Sequence, residues 1–428
     1  MKKANLGESF RTNYGGLPRS VYILFAATVI NRIGGFVYAF LALFLKSKLD
    51  MSADTIATFV LISGGVTMVA PFIGGGLADR KGRKAILIAG STIGALIFAV
   101  CGMIVGQSPE IIPYLLIAAS FFFSMTGPIY RAMMADIVSD EDDRRRAFSL
   151  IYLGINLGVA IGPIIGGFLL ANHVQWFFIG DAVTTLIGAV LIALFVKETI
   201  LTKEEMEQVT GGEKMEKGNV LKVFFKKPVL ALFTFVGILT SAVYAQSGFG
   251  LSLHMTEFFG NNNGASYFGM LLSFNAFVVI FLTIAITEAM KKNRPVVNMI
   301  FGAFFYVIGF GMIAFIGDFF ALYFVSVLFW TLGEIIMMTN FNIFMMSHTP
   351  VNYRGRFTAI IGFITGTGFV VSSKLMSYMI THHGYKVAWM TVGTVALVAA
   401  AGLYLTSFID ARMKKEEKVV LEEVEETV

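Results

Sequence analysis

The strongest constraint in this sequence is a series of long apolar segments separated by short charged stretches. A helix needs about 20 mostly apolar residues, at 1.5 Å each, to cross the roughly 30 Å hydrocarbon core of a bilayer. The sequence therefore predicts an all-α integral membrane protein with twelve transmembrane helices, numbered here as spans one to twelve. These spans lie at residues 20–45, 55–77, 85–106, 112–135, 148–171, 176–197, 228–252, 266–289, 296–316, 320–346, 357–380 and 386–409.

The composition excludes the main soluble classes. Hydrophobic residues make up 56% of the 428 residues and charged residues only 14%, whereas an ordinary soluble domain is about 45–50% apolar and about 25% charged. A soluble fold of this length cannot bury so much apolar side chain. We therefore expect a lipid bilayer around the chain and no nucleic acid as a partner.

The basic residues predict the topology. If the N-terminus is cytoplasmic, 27 of the 33 Lys and Arg residues fall in cytoplasmic segments and only 3 in external loops. Cytoplasmic loops of membrane proteins carry such an excess of Lys and Arg. Both termini are therefore predicted to be cytoplasmic, and the basic character of the chain mostly reflects its topology.

A hydrophilic stretch at 198–227 predicts a cytoplasmic linker between two halves. The predicted units are a six-helix bundle over 1–197, a second six-helix bundle over 228–410 and a cytoplasmic tail over 411–428. A weak internal repeat supports this division, because the segment 145–149 (RRAFS) resembles 354–358 (RGRFT), 209 residues later. Two repeated halves with a binding site near the membrane midplane are typical of secondary transporters.

The loop between spans two and three carries a distinctive motif over residues 75–84, GGLADRKGRK. It resembles the loop signature of the major facilitator superfamily, G-x-L-A-D-R-x-G-R-K, at the loop where that family carries it. The resemblance implies two pseudo-symmetric six-helix bundles that rock around a central cavity. It also implies a latch in which one acidic residue of the motif contacts the start of span eleven. The signature positions are Gly75, Asp79, Arg80, Gly82 and Arg83.

A second motif lies in span five, where small residues recur every fourth position. It resembles the antiporter motif of the twelve-helix drug:proton exporters, although Ser149 stands where the first glycine belongs. Such a row predicts a smooth helix face against which another helix can pack closely. The resemblance favours efflux over uptake. The matching positions are Gly158, Gly162, Pro163, Gly166 and Gly167.

Three acidic residues are candidates for proton coupling, because a carboxylate at the bilayer centre costs about 2.5–3.5 kcal/mol on insertion scales and is generally functional. Glu334, in the middle of span ten, is the first candidate, for proton coupling or for a cationic substrate. It resembles a Gly-Glu of Gram-positive multidrug exporters. The alternative is a structural carboxylate paired with Lys374 or Arg131.

Asp136, at the end of span four, is the second candidate, as a relay or as a latch paired with Arg80. The alternative is a plain interfacial carboxylate. Asp181, about one turn inside span six, is the third candidate, as a proton entry point. Its alternative is a solvated residue at the end of a helix.

Basic and uncharged residues within the spans are candidates for the substrate cavity. Basic side chains at such depth suit an anionic group of a substrate, and aromatic or amide side chains suit varied lipophilic molecules. The alternative for Arg32 and Arg131 is an ion pair with Glu334 or Asp181. The candidates are Asn31, Arg32, Tyr38, Arg131, Tyr244, Gln246, Asn275, Trp330, Asn340 and Lys374.

The sequence and the resemblance together predict a secondary active transporter that exports lipophilic drugs or related small molecules in exchange for protons. No phosphate-binding loop or metal-binding spacing is present, so we expect no cofactor and the proton gradient as the energy source. The alternatives are a proton-coupled symporter of a sugar, peptide or organic anion, and a lipid or glycolipid flippase of the same fold. We expect a monomer in the plasma (inner) membrane of a bacterium.

Overall fold

The computed structural model describes residues 14–138, 140–199, 228–349 and 354–425, and its regular elements there are all helical. Two short 3₁₀ turns, Pro109–Ile111 and Ala245–Ser247, accompany the α-helices. The α-helices are α1 (Arg19–Gly34), α2 (Leu41–Leu49), α3 (Ala53–Lys81), α4 (Arg83–Ile104), α5 (Ile112–Ile137), α6 (Glu141–Asn172), α7 (Val174–Phe195), α8 (Pro228–Tyr244), α9 (Phe249–Met290), α10 (Pro295–Ile316), α11 (Ala321–His348) and α12 (Arg354–Glu425).

The predicted all-α membrane fold is confirmed. In the described ranges, nine helical stretches are long and apolar enough to cross a membrane. Two of them, Pro228–Met290 and Ile360–Met413, hold two predicted spans each. The count of twelve spans stays a prediction.

Both of these long stretches are interrupted at a glycine. Gly260 in α9 and Gly384 in α12 have non-helical backbones, with φ of 75° and 78° and ψ of 168° in both. Positive φ with extended ψ is open to glycine and strained for other residues. Each glycine therefore divides one apparent helix into two segments.

The prediction of one continuous helix over residues 20–45 is wrong. α1 ends at Gly34 and α2 begins at Leu41, and we call residues 35–40 the first break. Two consecutive glycines, Gly34 and Gly35, weaken the helix there because each costs about 1 kcal/mol relative to alanine. Gly34 also packs against Thr184 of α7 so closely that a Cβ atom would overlap the threonine side chain.

A second interruption lies in predicted span seven. α8 ends at Tyr244, the 3₁₀ turn Ala245–Ser247 follows, and α9 begins at Phe249. We call residues 245–248 the second break.

The described residues divide into two compact units. The first unit holds the described residues up to 199 together with Ser252–Ile280, and the second holds 228–251 and the described residues from 281 onward. Residues 200–227 of the predicted linker lie outside the described residues, as do the side chains of Arg145 and of 354–356 in the predicted repeat. The predicted tail is helical as far as Glu425, and the division into two six-helix bundles stays a prediction.

A group of charged residues joins three helix ends in the first unit. Arg83, at the start of α4, forms an ion pair with Asp136 near the end of α5. Glu198, which follows α7, accepts hydrogen bonds of 3.1 Å from the backbone N–H groups of Arg83 and Lys84. A carboxylate is favoured at a helix N-terminus by the helix dipole. We call Arg83, Asp136 and Glu198 the first cluster.

The predicted partner of Asp136 is therefore wrong, because the ion pair forms with Arg83 and Arg80 is exposed. The reason is local geometry: Gly82 has a φ of 97° and ends α3, so the chain turns and the next residue starts the helix beside α5.

The second unit holds a similar group, which the sequence analysis missed. Arg294, which immediately precedes α10, forms an ion pair with the buried Asp410 of α12 and donates a 3.0 Å hydrogen bond to the carbonyl of Ser407. His348, the last residue of α11, hydrogen-bonds Asp410 through Nε2 at 2.8 Å. We call Arg294, His348 and Asp410 the second cluster.

The two clusters occupy corresponding positions along the chain. The arginines are 211 residues apart, Asp136 and His348 are 212 apart, and Glu198 and Asp410 are 212 apart. This spacing agrees with the 209-residue repeat seen in the sequence.

Candidate functional site

The first unit encloses a cavity of about 630 Å³ between α1, α4, α5, α6 and α7. This volume lies within the roughly 300–1,000 Å³ typical of small-molecule pockets. Four of the predicted substrate-cavity residues and one predicted proton-coupling residue line it, namely Asn31, Arg32, Tyr38, Arg131 and Asp181. The structure therefore brings together residues that are as much as 150 positions apart in the sequence.

Glycines of span five hold α6 against α1 at one side of this cavity. A Cβ atom on Gly162 would lie 2.8 Å from the carbonyl oxygen of Arg32 and 2.9 Å from that of Ile33. Gly158 faces Arg32 and Gly166 faces Phe36 in the same way. The predicted close helix packing is thus observed, and α1 is the packing partner.

Gly167 lies on another face of α6. A Cβ atom there would lie 2.6 Å from the carbonyl oxygen of Ala265 in α9, within the first unit. Pro163 similarly approaches Gly269 of α9 through its carbonyl oxygen. The span-five motif therefore serves two neighbours of α6.

Asp181 connects α7 to the first break. Its Oδ2 accepts a 3.1 Å hydrogen bond from the backbone N–H of Val37, a group that the interrupted helix leaves without a helical partner. Its Oδ1 accepts a 3.4 Å hydrogen bond from Thr185, whose hydroxyl accepts one of 2.9 Å from Asn31. Asp181 is 5% exposed, so the alternative of a solvated helix end is wrong.

The charged groups at the cavity wall are unequal in number. Two guanidinium groups, those of Arg32 and Arg131, and one carboxylate, that of Asp181, line the cavity in the described residues. Arg32 lies within electrostatic range of Asp181. The wall therefore carries more positive than negative charge when Asp181 is ionised.

Aromatic rings form much of the remaining wall. The ring of Tyr38 is centred 5.6 Å from that of Phe98 and 6.2 Å from that of Phe123. Its hydroxyl donates a 3.0 Å hydrogen bond to the carbonyl of Leu116. These contacts hold the orientation of the ring at the cavity wall.

Tyr130 is a cavity residue that the sequence analysis missed. Its hydroxyl donates a 2.9 Å hydrogen bond to the carbonyl of Leu24 and lies 2.6 Å from the hydroxyl of Thr28. Thr126, Tyr130 and Met134 recur every fourth residue and all line the cavity, so a helical projection of span four could have identified Tyr130.

In the second unit, Glu334 of α11 is hydrogen-bonded to Tyr244, the last residue of α8. The hydroxyl of Tyr244 donates a 2.6 Å hydrogen bond to Glu334 Oε1. The Tyr244 ring packs against Tyr306 at 6.3 Å and Trp330 at 6.2 Å between centroids. Trp330 is buried and stacks on Phe310, so it supports this aromatic group from within.

Gln246 lies in the second break. Its Nε2 donates hydrogen bonds to the carbonyl of Ala242 at 3.0 Å and to the hydroxyl of Ser372 at 3.1 Å. Gln246 and Ser372 also line a cavity of about 30 Å³. That volume is close to the space one water molecule occupies.

The other predicted cavity residues lie elsewhere. Asn340 is buried and accepts a 3.0 Å hydrogen bond from Asn298 of α10, which joins α10 to α11. Asn275 in α9 and Lys374 in α12 are half-buried. The substrate roles of Asn275, Asn340 and Lys374 stay predictions.

In the signature loop, Gly75 has open space where a Cβ would lie, and Asp79 and Arg80 are exposed. The predicted latch between Asp79 and span eleven would join the two units and stays a prediction.

Comparison with known proteins identifies a family and several relatives. The profile of the Major Facilitator Superfamily matches residues 24–373. A protein from Planococcus maritimus named "Na(+), Li(+), K(+)/H(+) antiporter" is 24% identical over 395 residues, covering 87% of this chain and 90% of that one. The "Quinolone resistance protein NorA" of Staphylococcus aureus (strain MRSA252) is 25% identical over 245 residues, covering 56% of this chain and 58% of that one.

Solved structures share the fold at low identity. The peptide transporter POT in complex with sulfate has a TM-score of 0.71 and 16% identity, over 91% of this chain and 94% of that chain. The nucleoside transporter NupG has a TM-score of 0.73 and 13% identity, over 91% of this chain and 99% of that chain. These likenesses support the fold alone.

Proposed function

The chain belongs to the Major Facilitator Superfamily and is a membrane transporter rather than an enzyme, and we propose that it couples proton entry to the export of small lipophilic molecules. Export is favoured by the span-five motif, which resembles that of drug:proton exporters, and by the similarity to a quinolone resistance protein. Proton coupling is favoured by carboxylates inside the spans and by the similarity to a cation/proton antiporter.

The observation that carries the proposal is the hydrogen bond between Tyr244 and Glu334. A hydrogen bond to an ionised carboxylate is about twice as strong as a neutral one. Tyr244 ends α8 and directly precedes the second break, so this bond connects a carboxylate to the 3₁₀ turn that interrupts a spanning segment. Protonation of Glu334 removes the charge that strengthens the bond.

The energies involved are compatible with one proton per cycle. A hydrogen bond to a charged group contributes about 1.5–3 kcal/mol. One proton moving down about 150 mV supplies about 3.5 kcal/mol. The energy of one proton that binds Glu334 from outside therefore exceeds what is needed to weaken the hydrogen bond to Tyr244 beside the second break.

The test is substrate-induced proton movement in inverted vesicles that contain a pH-sensitive dye. Vesicles are energised, and lipophilic cations, neutral drugs, sugars, peptides and organic acids are added in turn. We expect proton release from the lumen with lipophilic compounds. Glu334→Gln should abolish it, whereas Glu288→Gln, at an exposed carboxylate at the end of α9, should not.

Two outcomes would contradict the proposal. Proton movement in Glu334→Gln with the wild-type pH dependence would show that Glu334 is not the coupling group. A response to sugars or peptides but to no lipophilic compound would replace export with symport.

A second candidate is exchange of monovalent cations for protons, favoured by the named activity of the Planococcus maritimus relative. Additions of Na⁺, Li⁺ and K⁺ in the same vesicles test it. Proton release with these ions and not with lipophilic compounds would favour cation exchange.

A further inference from the structure

We infer that the molecule bound in the cavity of the first unit carries an anionic group, such as a carboxylate or sulfonate, on an aromatic or apolar body. The inference rests on the proposed function only in that this cavity receives the transported molecule. It holds for export and for import alike.

The first observation is that two guanidinium groups line the cavity. Arg32 and Arg131 line the cavity, and both are exposed. Within the described ranges, neither guanidinium forms an ion pair or a hydrogen bond with a side chain. Each guanidinium is therefore open to a ligand in the cavity, and charged side chains within spans are generally paired with a counter-charge.

The carboxylate of Asp181 does not balance both arginines. It is buried, and its two oxygens accept hydrogen bonds from Val37 and Thr185. The interaction that remains is electrostatic and acts on Arg32. One positive charge at the wall is therefore left for a ligand to neutralise.

The chemistry of arginine decides which ligand fits. Its planar fork of N–H donors matches the two oxygens of a carboxylate, and such pairs are strong and specific in direction. A cationic ligand would instead add a third positive charge to the same cavity. The wall thus favours an organic anion over an organic cation.

The body of the ligand follows from the rest of the wall. The rings of Tyr38 and Phe123 line one side of the cavity, and the buried ring of Phe98 packs against both. Aromatic rings of a ligand can pack against these in offset or edge-to-face geometry. A cavity of about 630 Å³ accommodates a ligand of two or more rings.

The test compares three probes that share one ring system and differ in charge. These are 1-naphthylacetate, its methyl ester and 1-naphthylmethylamine, each in radiolabelled form, bound to the full-length protein in nanodiscs. We expect the acid to bind at least tenfold more tightly than the ester, and the amine to bind most weakly.

A third arginine, on the same helix as Arg32 but outside the cavity, provides the matched control. Arg32→Gln and Arg131→Gln should each lower the affinity for the acid about tenfold or more and leave the affinity for the ester unchanged. Arg19→Gln, an arginine on α1 outside the cavity, should leave both affinities unchanged. Retained ester binding shows that each variant is folded.

The outcomes separate this inference from the proposed function. Equal affinities for acid and ester in the wild type, or an unchanged acid affinity in both arginine variants, would overturn the inference. Arginine-dependent acid binding without proton movement in vesicles would support the inference and contradict proton-coupled export. Glu334-dependent proton movement with the amine or ester, but not with the acid, would support export and overturn the inference.

Discussion

The two broken spans of this transporter are stabilised in different ways. At the first break, the carboxylate of Asp181 comes from a neighbouring helix and accepts the free backbone N–H of Val37. At the second break, the amide of Gln246 comes from the break itself and donates to Ser372 of α12. A carboxylate therefore binds the backbone of the first break directly, whereas the carboxylate of Glu334 reaches the second break through the side chain of Tyr244.

The residues packed against the two breaks also differ. α1 lies against bare glycines of α6, such as Gly162, so that backbone approaches backbone. Near the second break, Gly250 packs against the Met376 side chain, and the neighbouring stretch of α12 carries Ser372. Immediately beside the first break the facing residues are thus glycines, whereas beside the second break they are Met376 and Ser372.

The difference indicates separate roles for the two acids. Asp181 shapes the cavity wall, while Glu334 acts on the second break through the side chain of Tyr244. Four predictions test this contrast, in order of decreasing effect on the free energy of unfolding.

Replacing Asp181 by Ala should have the largest effect, a loss of about 2–3 kcal/mol, because the buried N–H of Val37 is left without an acceptor. Asp181→Asn retains an acceptor oxygen and should lose less than half as much. Denaturant unfolding in detergent measures both values. Equal stability of the two variants would show that the first break does not depend on this acceptor.

Replacing Gly162 by Ala should cost about 2 kcal/mol, because the added methyl group would lie 2.8 Å from the Arg32 carbonyl oxygen and force α6 away from α1. Gly127→Ala on α5 is the control, since a Cβ there meets nothing within 4 Å. That control should be neutral or slightly stabilising. Thermal unfolding compares the two, and an unchanged Gly162→Ala protein would contradict close packing at the first break.

Replacing Tyr244 by Phe should cost about 1.5 kcal/mol, the value of a hydrogen bond to a charged group. Proton movement driven by substrate should also decrease. Tyr404→Phe, at an exposed tyrosine of α12, serves as the control and should change neither property. A Tyr244→Phe protein with wild-type proton coupling would show that Glu334 does not act on the second break through the Tyr244 hydroxyl.

Replacing Ser372 by Ala should have the smallest effect, about 0.5–1 kcal/mol. The amide of Gln246 keeps its hydrogen bond to the Ala242 carbonyl, so the second break retains one of its two bonds. Unfolding in detergent measures the change. A loss as large as that in Asp181→Ala would remove the contrast between the two breaks.

Much of the fold follows from the sequence because each membrane-spanning helix requires a long, nearly uncharged apolar segment. Apolar length predicted the spans, and glycine spacing predicted the packing face on α6. Arg32 and Arg131 were recognised as cavity residues because a charged side chain within a span is costly in lipid and generally faces a cavity.

The first break and the role of Asp181 were not predictable in the same way. The residues of the first break are apolar, so hydropathy alone continues the helix through them. The bond from Val37 to Asp181 joins residues 144 positions apart and depends on how α7 packs against α1. The partner of Asp136 was also missed, because the positive φ of Gly82 turns the chain and places Arg83, rather than Arg80, beside α5.

The two charged clusters divide the same task differently. In the first, Asp136 pairs with the guanidinium of Arg83, and a second carboxylate, Glu198, accepts backbone N–H groups at the start of α4. In the second, Asp410 alone receives both the guanidinium of Arg294 and the Nε2 of His348. One carboxylate thus ties the ends of three helices together in the second unit, so a single substitution at Asp410 loosens α10, α11 and α12 at once. The first unit spreads the same risk over two carboxylates.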